Sequence, residues 1–242
     1  MTLKMNSTKI IRAFALCIFS VSIFLFLADA TLNYSQWLPS RDLRKFFNMT
    51  REDSLSNWIS SIIQVSLACI AFLNAFVVSK LNLPRWKVWA WIGVGALFFQ
   101  LALDDGTKLH ERMGSGLQSL FPWYPSFAWQ ISFGVVYGTA GLAMFIFLLQ
   151  EFRSRNLFKF VWISILLIVI SQGMDFCEGL DDLFYVPAGA MLHMDPGDLL
   201  HFSKTTEEML ELWGFMFMGV ALLKYFFLQI GKFKNLQEEV IA

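Results

Sequence analysis

Long apolar runs alternate with short polar stretches along this chain. Six runs, near 10–30, 58–78, 86–103, 128–150, 160–176 and 209–230, are predominantly apolar. Each is long enough, or nearly so, to cross about 30 Å of hydrocarbon as an α-helix. A spanning segment must satisfy its own backbone N–H and C=O groups in lipid, and a helix does so. The pattern therefore predicts an all-α, polytopic membrane protein, a six-transmembrane-helix bundle forming a single membrane domain over 1–242. Outer loops are expected at 31–57, 104–127 and 177–208. Trp58, Trp86, Trp123, Trp129 and Trp162 sit near predicted helix ends, where an amphipathic ring favours the headgroup region.

Composition sharpens this picture. With 56% hydrophobic and only 16% charged residues, the chain is too apolar for an ordinary soluble domain of its length. Lys4, Lys9 and Arg12 ahead of an apolar run ending Ala28-Asp29-Ala30 also fit a cleavable signal peptide, but the length of the run favours a retained helix. Cys17, Cys69 and Cys177 are odd in number, so no disulfide framework follows. Asn33 and Asn48 head Asn-x-Ser/Thr triplets that matter only in a glycosylating host.

Charge sets the expected orientation. With the amino terminus inside, Lys4, Lys9, Arg12, Lys80, Arg85, Lys87, Arg153, Arg155, Lys159, Lys224, Lys232 and Lys234 fall on inner segments, 12 of the 19 basic residues. The positive-inside rule then predicts both termini cytoplasmic, and in a bacterium an inner-membrane protein with its outer side facing the periplasm. The acids divide the other way. Only Glu151, Glu238 and Glu239 fall inside, leaving 16 of the 19 at the outer side, together with His110, His193 and His201.

Those acids form stripes. On a continuous helix, Gln100, Asp104 and Glu111 fall within about 40° of one another, flanked by Asp105 and His110. Ser171, Asp175, Glu178 and Asp182 repeat the spacing, and Glu207, Glu208 and Glu211 enter from the same side. The first two stripes sit at helix carboxyl ends, where negative charge is disfavoured; salt bridges to Lys108 and Arg112, protonation or a bound cation would compensate. Glu211, within Met209-Leu210-Glu211-Leu212-Trp213, carries the greatest weight, because ionisable groups at that depth usually face a bundle interior or a polar cavity. Thr205 to Glu208 fits a capping box that would occupy Glu208 locally. Lys224 can snorkel to the inner surface. The apolar segment 179–203 reads as a lid over the acids or an interfacial segment on lipid.

Histidines beside acids suggest a metal-dependent membrane hydrolase. Asp104, His110, Asp175, Glu178 and His201 would hold zinc or another divalent metal, and Glu111 and Glu211 would be the catalytic carboxylates, one acting as general base on a bound water. The substrate would be a lipid or a small molecule arriving from the outer leaflet. One alternative is a cation-binding transporter in which Glu211, Asp104 and Gln100 lead inward. Another is a non-catalytic membrane subunit or assembly factor that docks a partner by its acidic face. Gly134, Gly138 and Gly141 allow close helix packing within the protein, in a homo-oligomer or with a membrane partner. Membrane lipid is the expected surrounding, and nucleic acid is not expected.

Asp104-Asp105 with His110-Glu111, followed by Glu207-Glu208-x-x-Glu211, resembles a group of uncharacterised bacterial multi-pass membrane proteins with an acidic pair, a His-Glu pair and a Glu-Glu-x-x-Glu stretch. The number of histidines and their place at one membrane face are similar to alkaline-ceramidase-like membrane hydrolases, a resemblance that implies zinc-dependent amide hydrolysis. The His-x-x-x-His pair of those enzymes is not present in a late helix, since His193 and His201 are eight apart.

Overall fold

A computed structural model of the chain describes residues 6–34, 40–51, 53–121, 128–153, 156–178 and 181–241. Within these ranges the side chains at 34, 110, 111, 114, 115, 117, 118, 128–133, 178, 181–183 and 239–241 lie outside the description. The elements are α1 (Ser7–Asp29), continued by a π-helical turn (Ala30–Tyr34), α2 (Arg41–Phe47), α3 (Leu55–Lys80), α4 (Arg85–Thr107), α5 (Leu109–Leu120), α6 (Ala128–Arg153), α7 (Phe158–Glu178), α8 (Asp181–Leu192) and α9 (Pro196–Ile241). No strand occurs among the described residues. Six of these helices, α1, α3, α4, α6, α7 and α9, are long and apolar enough to cross a membrane.

Local chemistry explains where the helices start and stop. Asn6, Ser40 and Ser54 cap α1, α2 and α3 by accepting from backbone N–H groups three residues on, which satisfies orphan donors. Asn82 and Asn156 take left-handed backbone angles in the tight α3–α4 and α6–α7 links, a conformation asparagine tolerates better than most residues.

α9 is the axis of the bundle, packed by α1, α3, α7 and α8, while α3 and α4 form a close hairpin and α6 bridges α4 and α7. Leu212, Met218, Leu222 and Tyr225 of α9 are buried against Leu25, Leu67, Trp91 and Phe152 from its neighbours. Lipid is as apolar as these side chains, so close packing rather than water exclusion holds such helices together. Small residues supply the approach. A Cβ at Gly214 would come within 2.7 Å of Ile168 and 3.3 Å of the Ser164 carbonyl, and one at Gly219 within 2.5 Å of Phe14. The G-x-x-x-G face of α6 is different: no described atom lies within 4 Å of a Cβ built at Gly134, Gly138 or Gly141. That face takes no part in packing within the described chain, unlike the first of the three uses expected for it.

Two regions differ from the helical reading of the sequence. α4 ends at Lys108, whose φ of 55° is left-handed, so His110 and Glu111 belong to α5 and do not extend the α4 stripe. α9 starts at Pro196 and runs for 46 residues, about 69 Å at 1.5 Å per residue. Much of the segment expected as the last outer loop is thus helical. The start signal is Asp195-Pro196-Gly197: Asp195 Oδ1 accepts from the N–H groups of Gly197 and Asp198, and proline suits the first helical position. Thr205 is consequently interior to the helix and makes no capping box with Glu208. α8 packs on α9, with the buried Tyr185 donating its hydroxyl to Ser203 or accepting from it at 2.8 Å.

Candidate functional site

Buried polar residues gather at two places near the end where α1, α4 and α7 finish and α3 and α9 enter. The first centres on Glu211. The carboxylates of Asp105 on α4, Glu208 on α9 and Asp175 on α7 all act electrostatically on it. Among the described residues Glu211 makes no hydrogen bond or ion pair, and it is half-buried between Leu210 and Leu212.

Packing contacts set its depth. α7 and α9 run antiparallel, with Gly214 against Ser164 and Ile168. Glu211 lies three residues from Gly214, and Ser171 three from Ile168, both toward the polar end. α3 and α9 run parallel, with Gly219 against Leu67; eight residues up α9 is Glu211, and seven up α3 is Ser60. Glu211, Ser60 and Ser171 therefore lie at nearly the same level.

Asp105 is held from α3. Its Oδ2 accepts from Ser60 Oγ at 3.1 Å and Gln64 Nε2 at 2.5 Å, and its carbonyl accepts from Asn57 Nδ2 at 2.8 Å. The other end of the Gln64 amide is unmatched: Oε1 is buried with no hydrogen-bond partner, as is Ser171 Oγ on α7. Gln64 is 1% and Ser171 0% exposed, so bulk water does not satisfy them.

The second place centres on Asp29, completely buried at the end of α1. Its Oδ2 lies 2.8 Å from His201 Nε2 and accepts from Thr205 Oγ at 2.9 Å, and Oδ1 accepts from Asn33 Nδ2 at 2.7 Å. A cleft of about 240 Å³ adjoins it, lined by Phe26, Ala30, Phe202 and Thr205. The π-helical turn begins at the next residue and carries Asn33 back over the carboxylate; such turns often sit at functional sites. One turn and more below, Trp213 donates Nε1–H to Ser22 Oγ at 2.9 Å and stacks on Phe19. These contacts make α1 a working part of the bundle.

The residues expected to share one metal are distributed differently. Asp175 stands with Glu211, whereas His201 is turned to Asp29. Asp104 is buried near the end of α4 but is not among the carboxylates acting on Glu211; its neighbour Asp105 is. The side chains of His110, Glu111 and Glu178 lie outside the described residues. Gln100, expected to lead inward, reaches Tyr137 of α6 at 3.4 Å. Lys108 and Arg112 line a separate groove with Asp53 and Asn57. Among the described residues no three His, Cys, Asp or Glu side chains form a group that could hold a metal ion.

Sequence reasoning gave no weight to Asp29, Ser60 and Gln64 and left Asp105 beside the stripe rather than in it. A signal existed for each. Asn57, Ser60 and Gln64 recur at spacings of three and four inside an apolar run, the mark of a polar stripe on one helix face. Asp29, at the end of a run that fitted a signal peptide less well than a retained helix, is a lone acid closing a spanning helix, which by itself points to a buried partner.

No curated protein and no solved structure matches the chain, so the likeness to alkaline ceramidases gains no support from them. A family model does match, over residues 13–225, from the first spanning helix to the carboxyl-terminal third of the last and across both polar places. The chain belongs to that family, described as a domain of unknown function, DUF8692.

Proposed function

We propose that this protein is a cation-binding membrane protein whose carboxylate cluster, centred on Glu211, takes up a cation from the acidic end of the bundle. One observation carries the reading: a half-buried carboxylate on the central helix has no hydrogen-bonding partner among the described residues, and three other carboxylates act on it from α4, α7 and α9. Like charges in a low-dielectric interior repel strongly, so the arrangement gains stability from any positive charge that enters. The bias of basic residues toward the opposite side favours cytoplasmic termini and, in a bacterial inner membrane, a cluster that faces the periplasm.

The hydrolase reading needs zinc or another divalent metal on Asp104, His110, Asp175, Glu178 and His201, with Glu111 and Glu211 as catalytic carboxylates and a lipid or small molecule as substrate. It ranks lower here because His201 is engaged with Asp29, on a different part of α9 from Glu211.

Thermal unfolding of the purified protein in micelles, followed across pH and across added sodium, magnesium and calcium, tests the proposal. Glu211 should make the protein's stability depend on one of these cations, and Glu211→Gln should abolish that dependence. A wild-type protein indifferent to every cation, protons included, would sink the reading.

A further inference from the structure

We propose that the cation taken up is a proton, held on Glu211, with the Asp105 carboxylate and the Gln64 side-chain amide as its fixed polar partners. The inference rests on the cation-binding reading of the cluster and names its ligand.

Two features separate a proton from a metal ion. A hard metal cation is held by several oxygens drawn to between about 2.0 and 2.6 Å of one point, and no three carboxylate, imidazole or thiol side chains of the described residues are grouped to do that. A proton needs only one carboxylate and an acceptor. The acceptor is present: Gln64 Oε1 is buried and without a donor, although the same amide's nitrogen is committed to Asp105 Oδ2 and Ser60 Oγ. A buried acceptor left unmatched carries a desolvation cost, so a donor arriving at this level is favoured. A carboxylate cannot donate; a carboxyl group can.

The two acids at this level have unequal surroundings. Asp105 accepts from two side-chain donors through Oδ2, which suits the anion. Glu211 has no such donor among the described residues. Protonation is then simple in its balance: hydronium gives one proton to the Glu211 carboxylate, leaving water and a neutral carboxyl whose O–H can donate to an oxygen in the cluster.

Among the described residues, the ionisable groups facing Glu211 are Asp105 from α4, Asp175 from α7 and Glu208 from its own helix. From α3 the cluster receives only the neutral Asn57, Ser60 and Gln64. On α1 the acid is Asp29, which is engaged by His201, Thr205 and Asn33; from α8 the described contact is the Tyr185 hydroxyl on Ser203. Glu208 and Asp175, nearer the polar end, form the approach from solvent, and Glu211 is the deepest acid on it.

Infrared difference spectroscopy of the purified protein in lipid vesicles reads the carboxyl C=O stretch directly. A band that grows as pH falls should appear in the wild type, be lost in Glu211→Gln and be kept by Glu211→Asp. Gln64→Leu removes the acceptor and should shift the band to higher frequency while keeping it. This second variant also reports if Glu211→Gln fails to fold. A band untouched by either Glu211→Gln or Gln64→Leu overturns the proton inference. If sodium, magnesium or calcium at constant pH gives a carboxylate shift that Glu211→Gln removes, with no protonated band at any pH, the ligand is a metal ion; the inference fails and the cation-binding reading stands. Silence toward protons and metals alike brings down both.

Discussion

Two glutamates on opposite halves of the bundle have opposite surroundings. Glu151, buried at the end of α6, is matched on both oxygens: Lys87 Nζ lies 2.7 Å from Oε2, and the Tyr225 hydroxyl donates to Oε1 at 2.8 Å. Trp91 and Phe152 pack on Tyr225, with Phe147 behind Trp91. Glu211 sits among like charges. A buried carboxylate in the first setting joins three helices, α4, α6 and α9; in the second it opposes the packing that places it. A protein retains the second kind when the charge has work to do, which is why the candidate function is assigned to Glu211 and a structural role to Glu151.

The sharpest break of this comparison is Glu151→Leu. It takes the acceptor from the buried Tyr225 hydroxyl and from the Lys87 ammonium; breaking a fully buried pair costs about 3–5 kcal/mol, an upper bound here because the Lys87 side chain is 25% exposed. Unfolding midpoints in micelles should fall accordingly, and an unchanged midpoint would mean the Lys87–Glu151 pair is solvated. Asp29→Leu comes next, because His201, Thr205 and Asn33 all lose an acceptor; at about 1–3 kcal/mol for a buried group left unmatched, a loss of at least that size is expected. The accompanying loosening of α1 should be visible as reduced protection of its last turns in hydrogen exchange.

Glu211→Gln should do the reverse of Glu151→Leu. It replaces an ionisable group set among three other carboxylates by a neutral one of the same shape, so at neutral pH stability should hold or rise by up to about 1 kcal/mol, a magnitude typical of single favourable changes. A destabilisation as large as that of Glu151→Leu would erase the distinction between the two glutamates. The smallest effect belongs to Arg51 and Asp53, an exposed pair at 2.8 Å. The Arg51 hydrogen bond holds the Asp53 carboxyl below its ordinary value. Its contribution is therefore present above the unfolded-state value and is lost as pH falls through the lower folded one. Exposed pairs contribute about 0–1 kcal/mol, so Asp53→Asn should change stability by less than that and flatten only the acid limb of the pH profile.

Much of the candidate site was legible along the chain. The acid bias toward one end and the weight on Glu211 needed only helical spacing and the cost of charge in lipid; that Asp175 stands near Glu211 did not follow from either. Asp104 was favoured over Asp105 because a single helical projection ran through Lys108, and a left-handed residue there ends the projection. His201 was grouped with the acids by depth, and depth cannot distinguish α1 from α4 as a neighbour.

What the sequence determined by itself is the helical, membrane-spanning character of the protein, because run length and hydropathy fix what can lie in hydrocarbon. It also determined which end is acidic, since alternating spans send alternate polar stretches to the same side. Only the tertiary structure decided which polar groups meet. Asp105 joins Ser60 and Gln64, Asp29 takes His201, and Glu211 is left with carboxylates for neighbours. Those pairings depend on the rotation of each helix about its own axis and on the choice of α9 as the centre. Both are set by side-chain packing between helices distant in sequence, at Gly214 on α7 and at Gly219 between α1 and α3, and periodicity within one helix carries no information about its partner.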